Sequence, residues 1–346
     1  MAVDPGVTRA DAFALAKVSG HNRSTVIRSL GGHIKAVSLV WMKSLGLPLL
    51  DGVIVRRWSR QASDTVARFC RQRGFVQVLL RIDKKNQRWT RRRGGFLVDV
   101  TDLPKITREL MREDIVSIVL EPASPYADLC SFGSILDPRR GTLTIEVVGP
   151  GFDASDILRS DVQPHERFEV TWPTVQDDLS LSHMNFYRTH LADSTSYLCS
   201  VNQRLEKIAR CSRDPYFADE SGAFSQTDAE EQRAAAMTLL EQREELLLLR
   251  HLNIYKPVPL IYLRKFVQGV VELMIGLAAY GISLGPTSIA ASFISEDRMV
   301  YWDFFPANAE EFKLLYEVRG GGRRGSFCAG VKRLQKALSG FSVTRK

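Results

Sequence analysis

The 346-residue chain is 45% hydrophobic and 25% charged, enough apolar material for one large core or two modest ones and too much for a disordered segment. Its five cysteines (Cys70, Cys130, Cys199, Cys211, Cys328) are scattered without a CxxC pair, and Met1 to Gly20 lacks the cationic start and apolar run of a secretory signal; this argues against a disulfide framework and a zinc site, and a reducing, cytoplasmic setting is expected. The formal net charge of +8 is concentrated, with thirteen Lys or Arg between Arg56 and Arg93 against Asp64 and Asp83, a field that calls for an anionic partner such as nucleotide phosphates, nucleic acid or an acidic protein.

In chain order, residues 1–28 read as a polar lead-in with a short helix over Arg9 to Val18. Ile34 to Leu45 has helical apolar spacing and stops at Gly46. Val53 to Val55 is a short strand. Ala62 to Arg73 is a helix closed by Gly74, and the strands Val76 to Ile82 and Phe96 to Val100 follow with a basic, glycine-bearing tip between them. Leu103 to Glu113 reads as helix, while Ile115 to Leu120, Leu143 to Val148 and Arg167 to Thr171 read as strands. From about 180 to 255 the character turns helical, and Thr227 with Glu230 marks a capping box. Phe266 to Gly285 is apolar, but Gln268, Glu272 and its glycines favour a buried helix over a membrane span. Strands around Phe293 and over Met299 to Phe304, joined by the turn Ser295 to Arg298, precede a basic tail over 319–346. Short strands alternating with helices predict an α+β or α/β protein.

Several segments carry chemistry. The tip Arg88 to Gly95 pairs guanidiniums with Gly94 and Gly95, a loop able to fold over a polyphosphate or to serve only as a hairpin turn. Before it lie Gly31-Gly32-His33-Ile34-Lys35 and Gly46-Leu47-Pro48-Leu49-Leu50-Asp51-Gly52-Val53. Leu80-Arg81 ends a strand, and Ile118-Val119-Leu120-Glu121 leads through Ser131 to Asp137-Pro138. Ile145 to Asp153 reads IEVVGPGFD and Val162 to His165 reads VQPH. Gly285-Pro286, Ile289 and Val300 to Pro306 close the series. In this order the segments resemble the ATP-binding part of the phosphoenolpyruvate synthase and pyruvate, phosphate dikinase family over roughly residues 29–307, with an altered insert at 180–255.

That resemblance implies an ATP-grasp fold: two α+β lobes, 29–114 and 115–318, gripping a nucleotide cleft. It implies that Lys35 and Arg81 hold phosphates, with Arg93, Gly94 and Gly95 in the covering loop, and that Glu121 lines the adenine slot. Glu146 would lie toward the ribose or metal region. Asp303 and Asp153 would face Mg²⁺, which takes hard oxygen ligands. Arg81 and Asp303 are the catalytic candidates for an ATP-dependent phosphotransferase or ligase, its acceptor carried on another chain.

The sequence also departs from the pattern. His33 and Ile34 intervene before Lys35, and Ile82 and Asp83 replace serines. Ile289 and Ala291 stand at the paired acids, and Phe305 at an arginine. These departures raise a second expectation, a non-catalytic nucleotide-sensing or scaffold protein on a degenerate ATP-grasp fold. The Arg56–Arg93 patch raises a third, nucleic-acid binding without any recognisable reader motif.

Overall fold

A computed structural model describes residues 11–84, 96–104, 106, 115–123, 130–138, 140–149, 164, 166–171, 185–190, 258–282, 284–307 and 309–316. The elements are β1 (Ala12–Ala14), α1 (Arg23–Leu30), α2 (Ile34–Ser44), β2 (Gly52–Val55), α3 (Arg60–Arg73), β3 (Gln77–Lys84), β4 (Phe96–Asp99), β5 (Ile115–Leu120), β6 (Cys130–Asp137), β7 (Thr142–Val148), β8 (Glu166–Thr171), β9 (Asn185–His190), α4 (Leu260–Ala278), β10 (Thr287–Phe293), β11 (Met299–Pro306) and α5 (Ala309–Leu314). The protein is α+β with two antiparallel sheets, one ordered β1-β2-β5-β3-β4 and the other β11-β10-β6-β7-β8-β9.

The first sheet is covered on both faces, because its strands alternate two apolar sets. Val53, Val55, Val78, Leu80 and Val119 pack with Ala62, Val66 and Cys70 of α3. Ile54, Leu79, Ile118 and Leu120 face the larger core with α1 and α2. α3 begins where the Ser59 hydroxyl accepts the Ala62 N–H and ends at Gly74, whose φ of 68° is a left-handed C-terminal turn that a glycine adopts without strain.

The second sheet lays Phe132, Ile145, Val147, Phe168, Ile289 and Phe293 against α4. Phe132 stacks on Phe266 with ring centroids 4.9 Å apart, and the Tyr301 hydroxyl donates to the Phe266 carbonyl at 2.8 Å. Gly269 sits on Tyr301, where a Cβ would come within 2.0 Å of the hydroxyl oxygen. α2 ties the two sheets together: the Phe304 N–H donates to Ser38 Oγ (2.8 Å), and the Trp41 indole N–H donates to the Leu315 carbonyl (3.1 Å). Arg23 of α1 lies between two aromatic rings, 4.1 Å from the Trp41 centroid and 3.5 Å from that of Tyr280.

Several expectations need correction. The helix over Arg9 to Val18 is replaced, from Ala12, by β1 and a single 3-10 turn (Leu15–Lys17), because Phe13 pairs with Ile54 of β2. The apolar run from Phe266 is a buried helix only as far as Ala278. A turn at Gly281 (φ 74°) redirects the chain into β10. Among the described residues no helix is long and apolar enough to cross a membrane. The 180–255 insert contributes β9, and its capping box lies outside the described residues, as does the basic tail.

Candidate functional site

β3 and β11 meet where the two sheets adjoin, and among the described residues that seam holds most of the buried charged side chains. Arg81 of β3 sits opposite Ile118 of β5, on the face that α2 covers. Only 3% exposed, it donates through Nη2 to Asp303 Oδ2 at 2.6 Å and through Nη1 to the Trp302 carbonyl at 3.0 Å. Its Nε, and Oδ1 of Asp303, are buried without a hydrogen-bond partner. The pair is therefore held by one edge of each group, and each keeps unused bonding capacity.

The geometry of β11 explains why Asp303 faces the seam. In the pairing with β10, Asp303 lies opposite Ala290 and Tyr301 opposite Ala291, so Trp302 is an extra residue in a β-bulge. Without it, Tyr301 and Asp303, two residues apart, would share a face. With it, Tyr301 turns to α4 and Asp303 to Arg81. The Trp302 indole N–H donates to Ser292 Oγ (2.7 Å), which also bonds Ser131 Oγ (2.8 Å).

Lys35 joins the seam from α2. Buried, it donates from Nζ to the Ile82 carbonyl at 3.1 Å. His33 donates from Nδ1 to the Asp83 carbonyl at 2.8 Å, which fixes that ring tautomer. The Asp83 carboxylate accepts the Ala36 N–H at 2.9 Å. α2 thus takes its N-terminal cap from another element, and a negative group sits where the helix dipole favours it. Burial pushes the Asp83 carboxyl above its ordinary range, with Lys35 and the Ala36 amide opposing the shift and Asp303 adding to it. Burial likewise pushes the nearby Tyr316 phenol up, and its hydroxyl has no hydrogen-bond partner.

Strand register places a second carboxylate on the face of Asp303. One rung across the second sheet runs Asp303, Ala290, Gly133, Glu146, Arg167. All five project away from α4, because their neighbours Phe304, Ile289, Phe132, Ile145 and Phe168 fill the core. Three strand spacings separate Asp303 from Glu146, about 14 Å, across a floor of small residues that also includes Ser131, Ser288 and Ser292. Ile289 and Ala291 are buried on the core side. The residues of β10 beside Asp303 are accordingly Ser288, Ala290 and Ser292, with no carboxylate among them.

The structure thus brings Lys35, Arg81 and Asp303 together and sets Glu146 on the same face. Glu121 is committed elsewhere: its backbone N–H donates to Asp51 O at 2.8 Å, and its carboxylate accepts the Asp51 N–H at 3.0 Å and pairs with Arg298 of the β10–β11 turn. Arg93, Gly94, Gly95 and Asp153 lie outside the described residues. The sequence assigns no site role to His33, to Trp302 or, above all, to Asp83, which figures there as one of two acids in a basic stretch and as a replaced serine. A buried acid that follows Ile82, whose carbonyl anchors the buried lysine, leaves no pattern along the chain. On the α4 side, Leu136, Met274, Leu277, Leu284 and Ile289 frame an apolar hollow of about 90 Å³ whose lining offers a single hydroxyl, that of Thr287, already bonded to the Gly285 carbonyl.

Among the described residues no three His, Cys, Asp or Glu side chains cluster, and Asp303 bonds Arg81 through Oδ2. Compared with known proteins, the chain matches no family model and no curated protein.

Proposed function

We propose that the chain is a nucleotide-binding module on a degenerate ATP-grasp fold, which binds ATP at the Arg81–Asp303 seam without transferring its phosphate. The observation that carries this reading is the convergence of Lys35, Arg81 and Asp303 where β3, α2 and β11 meet. The ATP-grasp resemblance assigns the phosphates to Lys35 and Arg81 and the metal-facing acid to Asp303. Arg81 is buried and bonded to Asp303 and the Trp302 carbonyl, so a phosphate would engage it by displacing Asp303; Arg recognises phosphate as a fork while Lys contributes a point charge.

Loss of transfer follows from what surrounds Asp303. Stabilising a transferring phosphoryl group requires cations and metal ligands placed around it. Ser288, Ala290 and Ser292 supply no carboxylate, and Ile289 and Ala291 face the core. No catalytic step is assigned to Mg²⁺, and ATP binding is expected to be as strong in EDTA as in Mg²⁺.

The test is thermal unfolding with ATP, ADP or GTP, each with Mg²⁺ and with EDTA. A ligand at 100 times its Kd stabilises the native state by about 2.7 kcal/mol. ATP is expected to raise the midpoint equally in both buffers, with no ADP formed over hours. Lys35→Gln should lose the shift. A midpoint indifferent to all three nucleotides defeats the proposal.

An active phosphotransferase or ligase is the second reading, favoured by Asp303 and Glu146 sharing one rung. Mg²⁺-dependent ADP release that Glu146→Gln abolishes would select it.

A further inference from the structure

The Arg-rich stretch is not absorbed by the seam, and the structure shows where part of it goes. α3 packs Ala62, Val66 and Cys70 on the first sheet, on the face opposite α2. Its other side is exposed and carries Arg60, Asp64, Arg68 and Arg71, spaced by four, four and three residues, so the four side chains form one stripe along the helix. Arg57, also exposed, lies before the Ser59 cap and outside the helix.

These arginines differ from their neighbours in their lack of partners among the described residues. Arg73 is paired with Asp51, Arg56 donates to the Ser29 carbonyl, and Arg81 is buried at the seam. Arg57, Arg60, Arg68 and Arg71 make no ion pair or hydrogen bond through their guanidiniums with the described residues, and Asp64 forms no ion pair with them. On the helix Arg68 and Arg71 are like charges three residues apart, at a cost of a few tenths of a kcal/mol, while Asp64 stands four residues from both Arg60 and Arg68. Among the described residues no contact accounts for these arginines.

We infer that this face of α3 is a docking surface for the phosphate backbone of a nucleic acid duplex, bound without base readout. Charge complementarity selects an anionic partner, and the basic residues of the stripe are all arginine, whose planar fork pairs with phosphate oxygens through two donors. Its length matches a run of several phosphates, since a duplex carries one charge per roughly 1.7 Å of axis. The contact inferred is electrostatic, from guanidinium to phosphate. It also lies across the first sheet from Lys35 and Arg81, so duplex binding and nucleotide binding use different residues.

Fluorescence anisotropy of a labelled 20-base-pair DNA duplex of arbitrary sequence, with the full chain, over a salt series tests this. Log K should fall linearly with log salt. The triple variant Arg60→Gln, Arg68→Gln, Arg71→Gln keeps good helix formers and should reduce the slope by about 3, one for each phosphate that is no longer neutralised. The same variant should keep the wild-type thermal midpoint and the wild-type response to ATP, which separates removal of the stripe from misfolding. Should the variant lose its fold, Arg60→Gln with Arg71→Gln, at either end of the stripe, should still reduce the slope by about 2. An unchanged slope, no binding at 50 mM salt, or stronger binding to a polyglutamate peptide than to the duplex would overturn the inference. The last result would make the partner an acidic protein.

Discussion

The guanidinium of Arg81 and the carboxylate of Asp303, 222 residues apart in the chain, meet at 2.6 Å and join the two sheets. Both are largely withdrawn from water, with side-chain exposures of 3% and 14%. Burying such a pair costs desolvation that its attraction only partly repays, whereas removing one partner leaves the other charged and buried. Arg81→Met should therefore destabilise the protein by about 3 kcal/mol or more. Arg81→Met combined with Asp303→Leu should recover a substantial part of that loss. Urea unfolding of the two variants measures both values. A double variant no more stable than the single would mean that the buried Asp303 charge left behind is not what destabilises Arg81→Met.

Gly269 and Tyr301 define a second test, of how α4 seats on the second sheet. A Cβ at Gly269 would lie 2.0 Å from the Tyr301 hydroxyl oxygen and 2.6 Å from Cζ. Such overlap forces the ring or the helix to shift, so Gly269→Ala should cost about 1–3 kcal/mol. Adding Tyr301→Leu should relieve part of the cost, because the clash is with the ring's outer atoms. If Gly269→Ala proves neutral in urea melts, the close approach of α4 to β11 is misplaced.

Asp83 gives stability a pH dependence with a definite sign. Its folded-state value is raised by burial, so the folded protein holds the proton more tightly than the unfolded chain does. That contribution is complete below the unfolded value of about 3.9 and is lost as pH rises through the folded value. Asp83→Asn removes the titration while keeping an oxygen for the Ala36 N–H. The stability of wild type relative to Asp83→Asn should therefore decline from about pH 4 upward, read from urea midpoints across a pH series. A difference that is flat, or that grows with pH, would mean that Lys35 and the helix terminus outweigh burial.

Much of the strand framework was legible because alternation and β-branched runs mark half-buried strands. Val53 to Val55, Ile115 to Leu120 and Leu143 to Val148 match β2, β5 and β7, and the turn Ser295 to Arg298 joins β10 to β11. β6 was harder to see, since Ser131, Gly133 and Ser134 lack the composition of a strand, yet it occupies the middle of the second sheet. α1 was hidden for another reason: Arg23 is buried within it against two rings, so a charge interrupts a core face otherwise made of Val26, Ile27 and Leu30. Arg81 and Asp303 could each be singled out from the order of segments. Their contact depends on the bulge at Trp302, and nothing in Tyr301-Trp302-Asp303 announces an extra residue in the pairing.

If ATP binds at the seam, its phosphates compete with Asp303 for Arg81, and calorimetric titration of ATP into Asp303→Asn in EDTA isolates that competition. Asparagine keeps the shape of the side chain and removes its charge, freeing Arg81 and ending repulsion of the phosphates. The variant should bind ATP at least tenfold more tightly than wild type, since one charge at close range is worth more than the roughly 1.4 kcal/mol required. Unchanged or weaker ATP binding by Asp303→Asn would rule out a phosphate site at Arg81.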